Sequence, residues 1–423
     1  MPDRHVDHLL IGGGIASATC ARTLREEGAR GSILLVGREF HPPYHRPPVT
    51  KEFLRGEISR EEALVCPTGW WEDNAVELLS RVSVMSLDTE SRTATLSNKQ
   101  TVTYDQALLA TGATIRRLNV EGSDLEGIHY LRALGNSEAL RGDVDGARHV
   151  VAVGGSYIGC EVAASLTHLG KRCTIVMQES VVLERVFGAR AGAYFQGVLE
   201  DHGVEVLGEQ EVERFEPAGA EGGGDGPRVA GVVTKQGAQL EAEAVVCGVG
   251  AQPDVMLARR SGLALGESGG VLCDAGLRTS AKGVFAAGDM CEYDSVLHGA
   301  PMRIEHEEVA AAQGRTAALN MIGREVVHDE VPYFFSDLAD WVSLEYVGPA
   351  TQWDDEVVRG SMAEGSFTLW YLSGGRVAGA LSVNRGHDLE HARRLITAGT
   401  DVSDALTELA DGDADLSGLT SLA

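Results

Sequence analysis

One order of elements, written twice, limits most strongly what this chain can become: an apolar strand, a glycine turn, a helix and a second apolar strand. In the first copy Asp7 to Ile11 is apolar, Gly12-Gly13-Gly14 breaks the run, Ile15 to Glu27 has helical spacing, and Ile33-Leu34-Leu35-Val36 is again strand-like. The second copy runs from His149 to Val153 through Gly154-Gly155, a helix from Ile158 to Leu169, and the strand Cys173 to Val176. Each copy spells a βαβ unit on a parallel sheet, with glycine where the strand turns into the helix. A helix N-terminus approached in this way can hold a pyrophosphate.

The first turn reads Gly12-x-Gly14-x-x-Ser17, with Ile15 and Ala16 between, and Ser17 is the small residue that lets helix and strand pack closely. Glu39 follows about twenty residues on, where a carboxylate can accept from ribose hydroxyls. The second reads Gly154-x-Ser156-x-x-Gly159, with Tyr157 and Ile158 opening the helix and Ser156 in place of the middle glycine. After its second strand comes Val176-Met177-Gln178-Glu179, so the carboxylate that selects a ribose stands two or three residues late. No Arg lies immediately there for a 2′-phosphate. The reading is therefore NADH, with NADPH as the alternative.

Ala107 to Gly112 and Ala244 to Gly250 are each expected to be the last strand of a unit, ending in Ala110-Thr111-Gly112 and in Gly250. Val284 to Asp289 is a strand ending in Gly288-Asp289, close to where a second helix is expected to begin. Its Asp can accept from a polyol hydroxyl. From about Val326 the pattern changes to strands (Trp341 to Tyr346, Ser366 to Leu372, Arg376 to Val383) and a helix, His387 to Ile396. Residues 217 to 227 are expected at a surface hairpin tip, and Asp411 to Ala423 as a loosely docked tail.

Composition removes whole classes. The 423 residues carry 62 acidic against 36 basic side chains, a net charge of -26, which repels nucleic acid and anionic lipid. No run of 18 apolar residues occurs and the N-terminus lacks a signal-peptide pattern, which reads as cytoplasmic. The seven cysteines are scattered and never spaced C-x-x-C or C-x4-C, so neither a metal site nor a dithiol is expected.

Taken together, Gly12 to Ser17, Pro43-Tyr44-His45-Arg46-Pro47-Pro48-Val49-Thr50-Lys51, Tyr104 to Ala113, Gly154 to Glu161 and Ala286-Ala287-Gly288-Asp289 resemble the FAD-dependent pyridine nucleotide oxidoreductases. Within them the resemblance is to the branch of the ferredoxin reductases and apoptosis-inducing factors, and it covers essentially the whole chain. The resemblance implies an α/β fold of glutathione-reductase-like architecture. It has two Rossmann-like domains, for FAD (1–114 and 247–325) and NAD(P)H (115–246), and a C-terminal α+β domain (326–423).

The resemblance also implies roles. Gly12, Gly14, Glu39, Arg46, Lys51, Asp289 and Glu305 would hold FAD, and Ile15, Ala16, Ser17, Ala110, Thr111, Gly112, Tyr157, Ile158, Gly250, Gly288 and His306 are further cofactor-binding residues. Gly154, Ser156, Gly159, Glu161 and Phe335 would hold the nicotinamide nucleotide. Disulfide-reducing relatives carry cysteine beside the flavin, but Phe40 to Lys51 contains none, which excludes thiol chemistry there. Lys51, Glu161, Phe335 and His306 are the expected catalytic group. Glu161, placed in the first turn of its helix, must aim away from the pyrophosphate and is expected to pair with Lys51 near flavin N5. Phe335 stands where the family often has Trp.

Arg303-Ile304-Glu305-His306 precedes a helical run from Glu307 to Met321, whose positive end is expected to face the flavin pyrimidine. The activity implied is NADH-dependent ferredoxin reductase, passing hydride to FAD and single electrons to a small iron-sulfur protein of an oxygenase or cytochrome P450 system. An apoptosis-inducing-factor-like NADH-binding protein is the alternative, suggested by Glu305-His306. The chain is read as a monomer or homodimer. Arg385, Arg393 and Arg394 are expected to form part of a basic patch for an acidic partner.

Overall fold

The computed structural model describes residues 2–218 and 227–422, and the chain divides into two compact units. The first is built from residues 1–45, 61–114 and 252–334, the second from 46–60, 115–251 and 335–423.

The first unit is organised by a parallel sheet. Its strands lie in the order Val76–Leu79, Ile33–Val36, Arg4–Ile11 and Thr101–Leu109, and Val284–Ala286 joins the far side of the last. Thr93–Leu96 and Val84–Asp88 extend the opposite half of Thr101–Leu109 as antiparallel strands. All four residues of Ile33–Val36 are buried, as a parallel strand covered on both faces requires. Ile11 is in register with Val36 and Leu109, and Leu109 with Ala286, so four strand ends align. The helices Ile15–Glu26 and Glu307–Met321 pack closely: a Cβ on Gly314 would lie 2.2 Å from the carbonyl oxygen of Ala16.

The second unit repeats this plan. Its parallel sheet runs Glu205–Leu207, Arg172–Val176, His149–Val153, Ala244–Cys247, Ile128–His129, and the helix Tyr157–His168 follows the central strand. Val212–Pro217 and Val229–Thr234 pair antiparallel, and of the hairpin tip expected at 217 to 227, residues 219–226 lie outside the described residues. From Phe335 onward a five-stranded sheet contains Val342–Val347, Asp355–Ser361, Ser366–Ser373 and Arg376–Val383, followed by the helix Asp388–Ala398.

Four expectations are corrected. Glu161 is the fifth residue of a helix that starts at Tyr157, so it stands in the second turn, with no acid in the first. After Asp289 the chain enters the strand Cys291–Ser295, and the helix near Gly288 in space begins only at Glu307. The C-terminal segment is docked as far as Leu419: Leu416 is buried, and the Arg359 guanidinium donates to the carbonyls of Asp411 and Ala414, the latter at 2.8 Å. Arg385 is not part of a surface patch, because it pairs with buried Asp388 at 2.8 Å and donates to Gly412 O at 2.9 Å.

His328 in the first unit is buried against Tyr293, and this burial pushes its pKa from the ordinary 6.5 down to about 4. Between those values the unfolded chain takes up a proton that the native ring refuses, so the native state loses stability as pH falls through this window. Below about 4 both states are protonated and the loss levels off. His328→Phe is expected to flatten the decline of the urea midpoint between pH 7 and 4, measured side by side with the parent.

Candidate functional site

The first glycine turn is built by close backbone approach. Gly12 has φ of +123°, and a Cβ there would stand 2.0 Å from the carbonyl oxygen of Ala110. Gly14 is the N-cap of the helix Ile15–Glu26, carries no capping side chain, and a Cβ on it would meet nothing within 4 Å. The first-turn residues Ile15, Ala16 and Ser17 include no acid. The helix thus presents its N–H groups without a side-chain cap to open space, as a bound diphosphate needs.

Around this turn the other expected residues of the first unit assemble. Glu39 lies beyond the end of Ile33–Val36 and accepts from Tyr44 Oη at 2.5 Å. Thr111 Oγ1 donates to Asp254 O at 2.6 Å, and Gly112 has φ of +70°. Gly288, with φ of +77°, sits between the two helices: a Cβ on it would lie 3.5 Å from Ala310 Cβ and 3.8 Å from Ala16 Cβ. Its N–H donates to Gln313 Oε1 at 2.8 Å, and Arg303 holds Asp289 O at 2.9 Å and pairs with Glu305. His306 caps the helix Glu307–Met321 with extended backbone, its ring 4.6 Å from that of Phe334. Burial pushes its pKa down to about 4, with Asp289 opposing, so the ring is neutral at pH 7. Gln313 Nε2 and His306 Nδ1 are buried donors or acceptors with no protein partner, which fits a polar group bound beside them.

The second unit carries the matching turn. Gly154 has φ of +109° and its Cβ would fall 2.4 Å from Gly248 O, while a Cβ on Gly159 would fall 1.8 Å from Gly154 O. Ser156 is the N-cap of Tyr157–His168, but its hydroxyl turns to Gly248 O at 3.4 Å and leaves the helix end uncapped. Serine in place of the middle glycine therefore does not cap this helix. Tyr157 packs edge-on against Phe187, and Ile158 lies against Gly248. Glu179, the late carboxylate, pairs with Arg185. Gly250, at φ of +95°, accepts from Arg116 N at 3.0 Å.

The second unit also brings together three of the four expected catalytic residues. Lys51 is 1% exposed, with its ammonium 3.5 Å from Glu161 Oε1 and 4.6 Å from the centroid of Phe335. A buried charge of this kind requires partners. One partner of the ammonium, Asp337, and three hydroxyls that hold the carboxylates were missed by sequence reasoning. Asp337 Oδ2 lies 3.2 Å from Lys51 Nζ, Thr50 Oγ1 and Ser336 Oγ donate to Glu161 at 2.5 and 2.6 Å, and Ser343 Oγ donates to Asp337 at 2.5 Å. For three of them the signal was adjacency in the sequence, since Thr50 precedes Lys51 and Ser336-Asp337 follow Phe335. Arg46, which opens this segment, donates to Arg132 O at 2.5 Å.

Residues 6–314 match the pyridine nucleotide-disulphide oxidoreductase family and residues 333–420 the reductase C-terminal domain. The chain belongs to that family and is an oxidoreductase. It is 34% identical, over 98% of both chains, to the ferredoxin reductase subunit of a 5,5′-dehydrodivanillate O-demethylase from a Sphingobium species. Its fold is similar to that of the ferredoxin reductase for the CYP199A2 system from Rhodopseudomonas palustris, with a TM-score of 0.91, 32% identity and coverage of 97% and 98%. The reductase in a covalent putidaredoxin reductase–putidaredoxin complex matches with a TM-score of 0.91, 29% identity and coverage of 100% and 99%. The fold is glutathione-reductase-like, and FAD and NAD(P)H are the cofactors of the family. Among the described residues, no helix is long and apolar enough to cross a membrane.

Lys51→Ala leaves Glu161 and Asp337 facing one another without their cation. It is expected to lower unfolding stability by about 3 to 5 kcal/mol, read from urea midpoints at constant slope.

Proposed function

We propose that this protein is an NADH-dependent FAD reductase that hands single electrons to a small ferredoxin-type iron-sulfur protein serving an oxygenase or a cytochrome P450. The observation that carries the reading is the pair of uncapped, glycine-approached helix ends, one in each unit, combined with a cysteine-free Arg46 to Lys51 segment. The relatives named as ferredoxin reductases support it over the apoptosis-inducing-factor-like alternative.

In this reading residues 1–114 and 247–325 hold FAD, residues 115–246 hold the nicotinamide nucleotide, and 326–423 form the third domain. The first turn, with Glu39, Thr111, Asp289 and Glu305, binds FAD, while the second, with Glu161 and Phe335, orients the nicotinamide. FAD supplies the chemistry that joins a two-electron hydride donor to one-electron carriers. The protein contributes position and charge. Lys51 is held between two carboxylates, and Phe335 covers its ammonium on one side. Neutral His306 keeps a ring nitrogen available for a polar contact. The seven cysteines are buried and free, with no disulfide among them, which suits the cytoplasm. The chain acts as a monomer or homodimer.

Anaerobic stopped-flow reduction of the flavin by NADH and by NADPH tests the reading. Reduction by NADH at about 1 to 10³ per second, followed by turnover of an iron-sulfur protein, is expected. Reduction over minutes with a stable long-wavelength band overturns it. Two variants separate the turns. Gly12→Ala is expected to lower the flavin-to-protein ratio severalfold, whereas Gly154→Ala keeps the flavin and weakens nicotinamide binding at least tenfold.

A further inference from the structure

The cluster around Lys51 opens toward solvent on one side. Side-chain exposure rises from 1% at Lys51 through 9% at Glu161 to 22% at Asp337, and Ser343 beyond it is exposed. Glu161 has both oxygens engaged, Oε2 by Thr50 and Oε1 by Ser336 and Lys51. Phe335 covers the ammonium from another side. Asp337 is left as the carboxylate that touches both the buried ammonium, through Oδ2, and the exposed Ser343, through Oδ1.

We propose that Asp337 is the proton exit of Lys51, the group through which this buried ammonium exchanges protons with water. The use of this exit rests on the reductase reading. Oxidation of one NADH gives NAD+, two electrons and one proton. The electrons leave singly on the iron-sulfur partner, so the proton has to reach solvent separately. The Lys51 ammonium gives a proton to the Asp337 carboxylate, and the carboxylic acid so formed releases it to water as hydronium. The neutral Lys51 amine then takes up the proton of the site and is an ammonium again. One proton has moved from the site to solvent, and every group is restored.

The chain has five lysines, and Lys51 is the one that is buried, so lysine labelled with 15N in the holoprotein makes its ammonium observable by NMR. Lys51→Ala assigns the signal. In Asp337→Asn the exchange of the Lys51 ammonium protons with water is expected to slow by about 10²-fold, while Ser343→Ala, which keeps the carboxylate, stays near the parent. Exchange in Asp337→Asn at the parent rate or faster overturns the proposal, because it means that Asp337 only holds the lysine in place. If the asparagine variant does not fold, Asp337→Thr is read by the same two outcomes. The measurement needs neither nicotinamide nor electron acceptor. Its failure leaves the reductase reading standing, and failure of turnover leaves the exchange result standing.

Discussion

The structure depends on a backbone approach that a side chain would forbid. In each unit the residue after the central strand is a glycine at positive φ, its N–H bonded to the end of the neighbouring strand: Gly12 to Val36 O at 2.9 Å and Gly154 to Val176 O at 2.8 Å. On the other side its missing Cβ makes room for the carbonyl of the next parallel strand, Ala110 O or Gly248 O. Those strand ends are themselves tied back, Ala110 N to Ile11 O and Gly248 N to Val153 O, both at 2.8 Å. The helix after the glycine therefore starts at the carboxyl end of the sheet with its N-terminus uncovered, where ligands of parallel sheets bind. Adding one methyl group at Gly12 or Gly154 would shift the strand, the turn and the helix together.

A second constraint is the charge at Lys51. An ammonium with 1% exposure is tolerated because two carboxylates and an aromatic face surround it and three hydroxyls anchor those carboxylates. The cluster contains no sulfur. The cysteines of the chain are buried elsewhere, and burial pushes the thiols of Cys173 and Cys247 up to about 11 and 12, far from thiolate at neutral pH. In this member of the pyridine nucleotide-disulphide oxidoreductase family the cluster around Lys51 is thus one of charge and hydroxyl groups.

What the sequence by itself determined is what local physics determines. The strands Ile33–Val36, His149–Val153 and Arg376–Val383 and the helix Glu307–Met321 lie where periodicity placed them, because apolar runs and glycine breaks act over a few residues. The two turns were legible for the same reason, and Lys51 with Glu161 through the resemblance of their motifs. Tertiary structure decided the rest. Asp337 stands 286 positions from Lys51, and no spacing rule connects them. Arg385 looked like a surface charge, yet folding placed buried Asp388 beside it, and the acidic tail is docked because Arg359 meets its carbonyls. Which charges meet, and which reach water, depends on residues far apart in the chain arriving at one point in space.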